Sequence, residues 1–475
     1  MDTGTSGTTP RIFVVYTVML LGAVGLFLVF RAFGETLVAP PATTPVAVGA
    51  TAGDTSSILW HLLLALVAVV ALGRLLGTLF HAIGQPPVIG EVVAGILLGP
   101  SLLGRIAPDV AAYVLPGTVA PYLGLLAQLA VIVYMFTVGL ELNTDLLRGQ
   151  MRPAVATSHS SILVPFTMGA ALAIYLYPRF ATSAVPFTHF ALFLGVAMSI
   201  TAFPVLARIL SDRKMTRTRL GALALTCAAV DDITAWCLLA FVVGVVHDSG
   251  GHAALAAVWT IGFIVVMFTV VRPILDRLSR QIEAGSSPEG PIVITLVGML
   301  LAALATDAIG VHAIFGAFML GAVIRHDSAL ARALKRAVGD LVIILLLPAF
   351  FAYTGMRTEI GLVSSLYDWL VCGLIVLVAT AGKFGGTVIA ARATGLDARH
   401  AAGLGVLMNT RGLMQLIVLD VGLDLGVISP TLFTMLVLMA VVTTVMTTPL
   451  LQLVFPESLQ IAGATAVAAH EASTR

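Results

Sequence analysis

The run Cys227-Ala-Ala-Val-Asp-Asp-Ile-Thr-Ala-Trp236 sets two adjacent carboxylates inside a stretch, 220–246, that is otherwise almost wholly apolar. As a helix rising about 1.5 Å per residue, it places Asp231 and Asp232 roughly 17 Å along a rod of about 40 Å, near its middle. An ionisable side chain at the bilayer centre costs about 2.5–3.5 kcal/mol on insertion scales. Two neighbours at that depth mark either a functional site or a pair solvated in a water-filled helix interface. The rest of the chain supports a membrane setting. Of its 475 residues, 59% are hydrophobic and only 10% charged, and the mean hydropathy is +1.04. Soluble domains carry about 25% charged residues, so this chain cannot cover a water-facing surface. A water-soluble enzyme is excluded, and an all-α polytopic membrane protein is predicted. The net charge of +1 offers no footprint for nucleic acid. Cys227, Cys237 and Cys372 lie in apolar runs without CxxC or Cys/His grouping, which argues against a disulfide framework or a zinc site. No cofactor is expected.

Outward from the aspartates, hydropathy predicts thirteen spans: 58–80, 88–103, 119–140, 153–177, 187–210, 220–246, 255–275, 290–306, 308–324, 338–354, 368–391, 400–427 and 430–453. An isolated apolar segment, Ile12 to Phe30, precedes them, followed by a Pro/Thr-rich stretch to Ser57. That segment exceeds the about 7–15 residues of a signal-peptide core and has no clean A-x-A site, so it reads as an accessory span rather than a cleaved signal. The expected organisation is an accessory segment and linker over 1–57, a transmembrane domain over 58–455 and a short cytoplasmic tail over 456–475, with no regulatory domain attached. Arg148 and Arg152, then Arg213, Lys214, Arg217 and Arg219, fall in alternate loops. Arg277 and Arg280, Arg325, Arg332, Lys335 and Arg336, and Arg392 and Arg399 continue the alternation. The intervening loops hold only Arg105, Arg179 and Arg357, so the core spans start outside and end in the cytoplasm.

A third deep charge is Lys383, in Ala-Gly-Lys-Phe-Gly-Gly, with no counter-charge within a helical turn. It either pairs with another helix or snorkels to the surface on its long stem. Glu91 and Glu141 read as interfacial, Asp307 and His312 as flanking a tight turn, and Asp420 as facing a vestibule. Two spans carry breaks. Ser199-Ile-Thr-Ala-Phe-Pro204 includes Thr201 and a proline that removes a backbone donor. Met408-Asn-Thr-Arg-Gly-Leu413, with Asn409, Thr410 and Arg411, is too polar to face lipid. Gly195-Val-Ala-Met-Ser199 can be set against Gly405-Val-Leu-Met-Asn409, and the two helices run in opposite directions. Inverted repeats whose broken helices meet at the midplane are how secondary transporters build ion sites. The bland alternatives are a proline kink and a polar turn at the membrane surface.

The chain resembles the monovalent cation:proton antiporter families, specifically the second, which includes bacterial sodium and potassium antiporters and plant cation/proton exchangers. The likeness runs from about residue 58 to 453. It is carried by Pro86-Pro-Val-Ile-Gly-Glu91, Gly95-Ile-Leu-Leu-Gly-Pro100, Gly139-Leu-Glu-Leu, Thr201-Ala-Phe-Pro-Val, Ala229-Val-Asp-Asp, Gly382-Lys383 and Met408-Asn-Thr-Arg-Gly-Leu. The resemblance implies that Asp232 is the ion-binding aspartate, Asp231 the neighbouring acid of electrogenic members and Lys383 its partner when no ion is bound. It implies ligands from Thr201 and nearby backbone, and a monovalent cation held at Asp232 and Asp231. It further implies thirteen core helices arranged as inverted repeats, a mobile core against a dimerisation domain, an elevator-like displacement, a homodimer and a place in the plasma membrane. Gln415 stands where many relatives have Glu. Potassium-efflux members usually carry a cytoplasmic nucleotide-binding domain, so glutathione-type gating is not expected.

The chemistry needs no covalent step. Protons and a partly dehydrated Na⁺ or K⁺ compete for the same carboxylate oxygens, and alternating exposure of one such site gives antiport. Titrations of Asp231, Asp232 and Lys383 should be coupled. Na⁺ is the first choice of cation and K⁺ the alternative. An intramembrane aspartyl protease needs facing aspartates from different helices, whereas neighbours on one helix point about 100° apart. A channel would show conductance above carrier turnover, and a symporter would move protons in the same direction as the cation.

Overall fold

The structure, a computed structural model, describes residues 8–41, 55–141, 146–216, 218–247 and 253–455. The expected tail, residues 42–54 of the linker and Arg217 lie outside the described residues. What is described is helix and short connections, with no strand among them. A bilayer has no water to satisfy backbone groups, so apolar segments of this length must close their hydrogen bonds internally.

The helices are α1 (Thr8–Gly34), α2 (Thr55–Ala82), α3 (Pro87–Leu98), α4 (Ala120–Glu141) and α5 (Leu146–Phe180). Next come α6, in two halves, α6a (Phe187–Ser199) and α6b (Phe203–Asp212), and α7 (Arg219–His247). α8 runs through Ala253–Val266, a π-turn Met267–Val271 and Arg272–Glu283, and is followed by α9 (Glu289–Ile309) and α10 (Ala313–Val323). α11 runs through Ala329–Leu341, a second π-turn Val342–Leu346 and Leu347–Arg357. The chain ends in α12 (Leu366–Ala393), α13a (Ala398–Met408), α13b (Leu413–Asp424) and α14 (Pro430–Val454). Twelve helices among the described residues are long and apolar enough to cross a membrane; the bent pair α13a–α13b is a thirteenth span and the shorter apolar α10 completes the set. The chain is thus a multi-pass membrane protein, with α1 additional to the thirteen core elements.

Several boundaries differ from expectation, each for a physical reason. Both π-turns come just before a proline, Pro273 and Pro348, where a widened turn takes up the missing N–H. Both lie inside their expected spans, and the helices run on past those spans as amphipathic stretches. Arg277 and Arg280 therefore lie on helix rather than in a loop, as do Arg332, Lys335 and Arg336. The Ala329–Leu341 stretch is amphipathic: it buries Leu330, Leu334 and Val338 and exposes Arg332 and Arg336. α5 likewise starts early enough to include positions 148 and 152. α3 stops at Leu98, ahead of Gly99-Pro100.

Packing groups the helices into two bodies. The first holds α5, α6, α7, α12, α13 and α14, with α1 lying against α5 and α6a. The second holds α2, α3, α4, α9, α10 and α11. α8 touches both, and direct contact between the bodies is sparse. The helix ends and connections at one end of the molecule carry Arg213, Lys214, Arg325 and Arg399; those at the other carry Arg105, Arg179 and Arg357. They are called below the basic and the basic-poor ends.

Candidate functional site

Inside the first body the two broken helices cross. α6a stops at Ser199, and Ile200 (φ −71°, ψ 136°) and Ala202 (φ −95°, ψ 94°) are extended, a conformation that suits β-branched Ile200 and Thr201. Pro204 lies in the first turn of α6b, where its missing N–H costs nothing. It starts the second half-helix rather than kinking a continuous one. α13a stops at Met408, and α13b resumes at Leu413 bent by 45°. The Ala202 N–H donates to Thr410 O (3.0 Å), and Thr201 Oγ1 donates to Met408 O (3.0 Å). The similar pentapeptides 195–199 and 405–409 thus mark where the two first halves end.

The crossing is close enough to require glycine. A Cβ on Gly412 would lie 2.5 Å from Val205 Cγ2 and 3.4 Å from Ala202 Cβ. Overpacking of this kind costs about 1–3 kcal/mol. Gly412→Val is accordingly expected to lower the Tm in detergent and to reduce transport; an unchanged Tm would show that the crossing can spread.

The break leaves carbonyls at the C-terminal, negative end of α6a, and two cations take them. Arg411, fully buried, donates from Nη1 to Ala197 O (2.9 Å) and from Nη2 to Met198 O (2.6 Å). Lys383 Nζ donates to Ser199 O (2.5 Å). Gln415 Oε1 accepts a further bond from Arg411 Nη1 (2.9 Å). Thr444 of α14 braces the second break, donating to Arg411 O (2.6 Å) and accepting from the Arg411 N–H (3.2 Å).

Lys383 and Asp231 form an ion pair of 2.8 Å with neither side chain exposed. The partner comes from another helix, as the lack of any counter-charge near Lys383 on α12 demands. Gly386 makes the approach of α12 to α5 possible: Ser160 Oγ donates to Gly386 O (3.0 Å), and a Cβ on Gly386 would stand 2.9 Å from Ser160 O. Asp231 also accepts from Thr201 Oγ1 (2.9 Å), Ser161 Oγ (2.9 Å) and Ser158 Oγ. Lys383 Nζ donates in addition to Ser161 O (3.0 Å).

Asp232 is in a different position. It is 1% exposed, yet neither carboxylate oxygen has a hydrogen-bond partner. It faces the Phe203 amide at the positive end of α6b without a bond of normal length. Asn409 Oδ1 is likewise buried and unpartnered.

Ser199 contributes its carbonyl and not its hydroxyl, which bonds Gly195 O and Ile162 O. Thr410 contributes its carbonyl, while its hydroxyl reaches only Thr447 Oγ1 at 3.5 Å. Sequence reasoning missed Ser158, Ser161 and Thr444. The first two had a signal, the polar run Thr157-Ser-His-Ser-Ser161 inside an apolar span. Of the outlying groups, Glu141 is exposed at the end of α4 and Glu91 is half-buried near the start of α3. Asp307 and His312 flank the turn at Gly310 (φ +89°) and, with Asp420, line a cleft of about 500 Å³ at the basic-poor end. No group of three or more His, Cys, Asp or Glu suited to a metal ion occurs among the described residues.

Crossed, discontinuous helices whose charged termini are met by buried side chains define a secondary transporter. Comparison with known proteins is specific. Residues 66–453 match the family described as sodium/hydrogen exchanger, transmembrane. The chain is 45% identical over 407 residues to the Na(+)/H(+) antiporter NhaS4 of Synechocystis sp., covering 85% of this chain and 99% of that one. It is 38% identical over 407 residues to cation/H(+) antiporter 20 of Arabidopsis thaliana (82% of this chain, 47% of the relative). It is 34% identical over 390 residues to K(+)/H(+) antiporter 1 of Saccharomyces cerevisiae (80% and 44%). It therefore spans nearly all of the cyanobacterial relative and about half the length of the plant and yeast ones. The chain belongs to the sodium/hydrogen exchanger family.

Proposed function

We propose that this chain exchanges a monovalent cation for protons by alternating access at the crossing, with Asp232 as the group for which cation and proton compete. The observation that carries this reading is the asymmetry of the two aspartates. Asp231 is committed to Lys383 and three hydroxyls, whereas Asp232 and Asn409 keep buried oxygens with no partner. An unpartnered buried carboxylate is costly, and a proton or a bound cation each relieves that cost. Hard oxygen donors suit an alkali cation. Na⁺ is the first choice, and the relative named as a K(+)/H(+) antiporter keeps K⁺ as the alternative. Lys383 is the proton-coupled partner of Asp231 and makes the exchange electrogenic. The first body is the mobile core and the second the dimerisation domain of a homodimer in the plasma membrane, with the C-terminus in the cytoplasm.

The test is dissipation of an imposed pH gradient in inverted vesicles on addition of Na⁺, Li⁺ or K⁺, across a range of pH. Cation-dependent proton movement opposite in direction to the cation is expected. Co-directional movement would replace antiport by symport, and single-channel conductance would replace it by a channel.

A further inference from the structure

At the basic-poor end, away from the crossing, a second, partly buried cluster joins the two bodies. Arg357 ends α11, in the second body. Its Nη1 lies 3.3 Å from Asp420 Oδ1 and its Nη2 2.6 Å from Asp424 Oδ1, two acids one turn apart on α13b, in the first body. One turn before Arg357, Thr354 Oγ1 donates to Asp420 Oδ2 (2.5 Å). The guanidinium carbon also stands 5.0 Å from the centre of the Tyr353 ring. Asp420 is 6% exposed. The other ion pairs among the described residues lie within one helix or one turn, or, for Asp231–Lys383, inside the first body. The remaining side-chain bonds between the bodies near the helix ends are neutral, as in Gln85 Nε2 to Val445 O and the Glu359 N–H to Thr434 Oγ1. The pair stands at the edge of the cleft of about 500 Å³, whose walls come from both bodies and whose other titratable groups are Asp307 and His312.

We propose that Arg357, with Thr354, is an interdomain latch that holds the basic-poor end of the two bodies together by gripping Asp420 and Asp424, and that it must release in every transport cycle. The inference rests on the alternating-access reading above. α13b starts at the crossing and runs without interruption to Asp424, so Asp420 is tied to the site by about 10 Å of rigid helix. Any displacement of the crossing against the second body carries Asp420 and Asp424 with it. A shift of a few ångströms takes both carboxylates out of reach of a guanidinium fixed at the end of α11, because hydrogen bonds fail beyond about 3.5 Å. The latch therefore weights the equilibrium between the arrangement seen here and the displaced one, and does so without touching the ion.

The experiment follows Ile417→Cys, a buried position lining the cleft, in full-length protein with Cys227, Cys237 and Cys372 replaced by Ala. The readout is its rate of labelling by a membrane-impermeant maleimide. Arg357→Ala should raise that rate about fivefold, the population shift expected of one partly buried ion pair. Asp420→Asn, which leaves the Arg357–Asp424 pair in place, should raise it by a smaller factor. The Arg357→Ala/Asp420→Asn double variant should match Arg357→Ala, since removing the guanidinium already breaks its contact with Asp420. Arg357→Lys and Asp424→Asn, which keep part of the grip, should give smaller increases; they carry the test if Arg357→Ala fails to accumulate. Unchanged labelling in these variants, or strictly multiplicative effects in the double variant, overturns the latch. Labelling needs no transport, so wild-type exchange with unchanged labelling rejects the latch alone. Absence of wild-type exchange rejects the antiport reading instead.

Discussion

Asp232→Asn should abolish cation-dependent proton movement while leaving the protein folded. The carboxylate makes no hydrogen bond of normal length within the protein, so the isosteric amide gives up only the attraction of the Phe203 amide and relieves the cost of a buried, unpartnered charge. Thermal stability in detergent should be equal to or above that of the wild type. Transport depends on the charge itself. An amide neither exchanges a proton nor balances a dehydrated cation in a low-dielectric site, and a loss of only about 3 kcal/mol of ion stabilisation amounts to more than about 100-fold in rate. The measurement is pH-gradient dissipation in proteoliposomes over a range of Na⁺ concentration, alongside a melting curve of the same preparation. Full activity in a well-folded variant would remove Asp232 from the site. A large fall in Tm would show that the carboxylate has structural partners.

The sequence held much of the architecture in readable form because the bilayer imposes a length and a hydropathy on every crossing. Asp231, Asp232 and Lys383 stood out as charges where charge is expensive, and the breaks stood out as polar runs in apolar spans. Orientation alone does not reveal which partner each residue takes. Arg411 read as part of the second break, with a polar turn at the membrane surface as the bland alternative. The structure buries it completely on the end carbonyls of α6a, a contact between residues more than 200 positions apart that no local pattern encodes. Ser158 and Ser161 were overlooked because serine is common in membrane helices, and only proximity to Asp231 gives them meaning. The two aspartates look alike in sequence, and their difference arises from neighbours on α5, α6 and α12. The expected loops around Arg277 and Arg332 were wrong because hydropathy ends a span where charges begin, whereas both helices run on as amphipathic stretches that bury one face.

The second large effect concerns Lys383, and it separates structural from electrical roles. Lys383→Ala alone should be severely destabilising. It leaves Asp231 buried with only its hydroxyl donors and strips the Ser199 carbonyl of its cation. Removing one member of a buried pair typically costs about 3–5 kcal/mol, so the protein should melt earlier or fail to accumulate. Asp231→Asn combined with Lys383→Gln should behave differently. The Asn oxygen still accepts from Ser161 and Thr201, the Gln amide can still donate towards Ser199 O, and the pair vanishes as a unit rather than leaving half behind. Stability should return towards that of the wild type, and exchange at Asp232 should persist. If cation binding normally frees the proton of Lys383 along with that of Asp232, two protons move per cation and one net charge crosses per cycle. A potential of 100 mV then biases the cycle by about 2.3 kcal/mol, roughly 50-fold in the accumulation ratio. With only Asp232 titrating, one proton exchanges for one cation and the potential has nothing to act on. Exchange by the double variant should therefore be indifferent to valinomycin-clamped potentials that drive the wild type. Voltage dependence equal to that of the wild type would place the transported charge on some group other than Lys383.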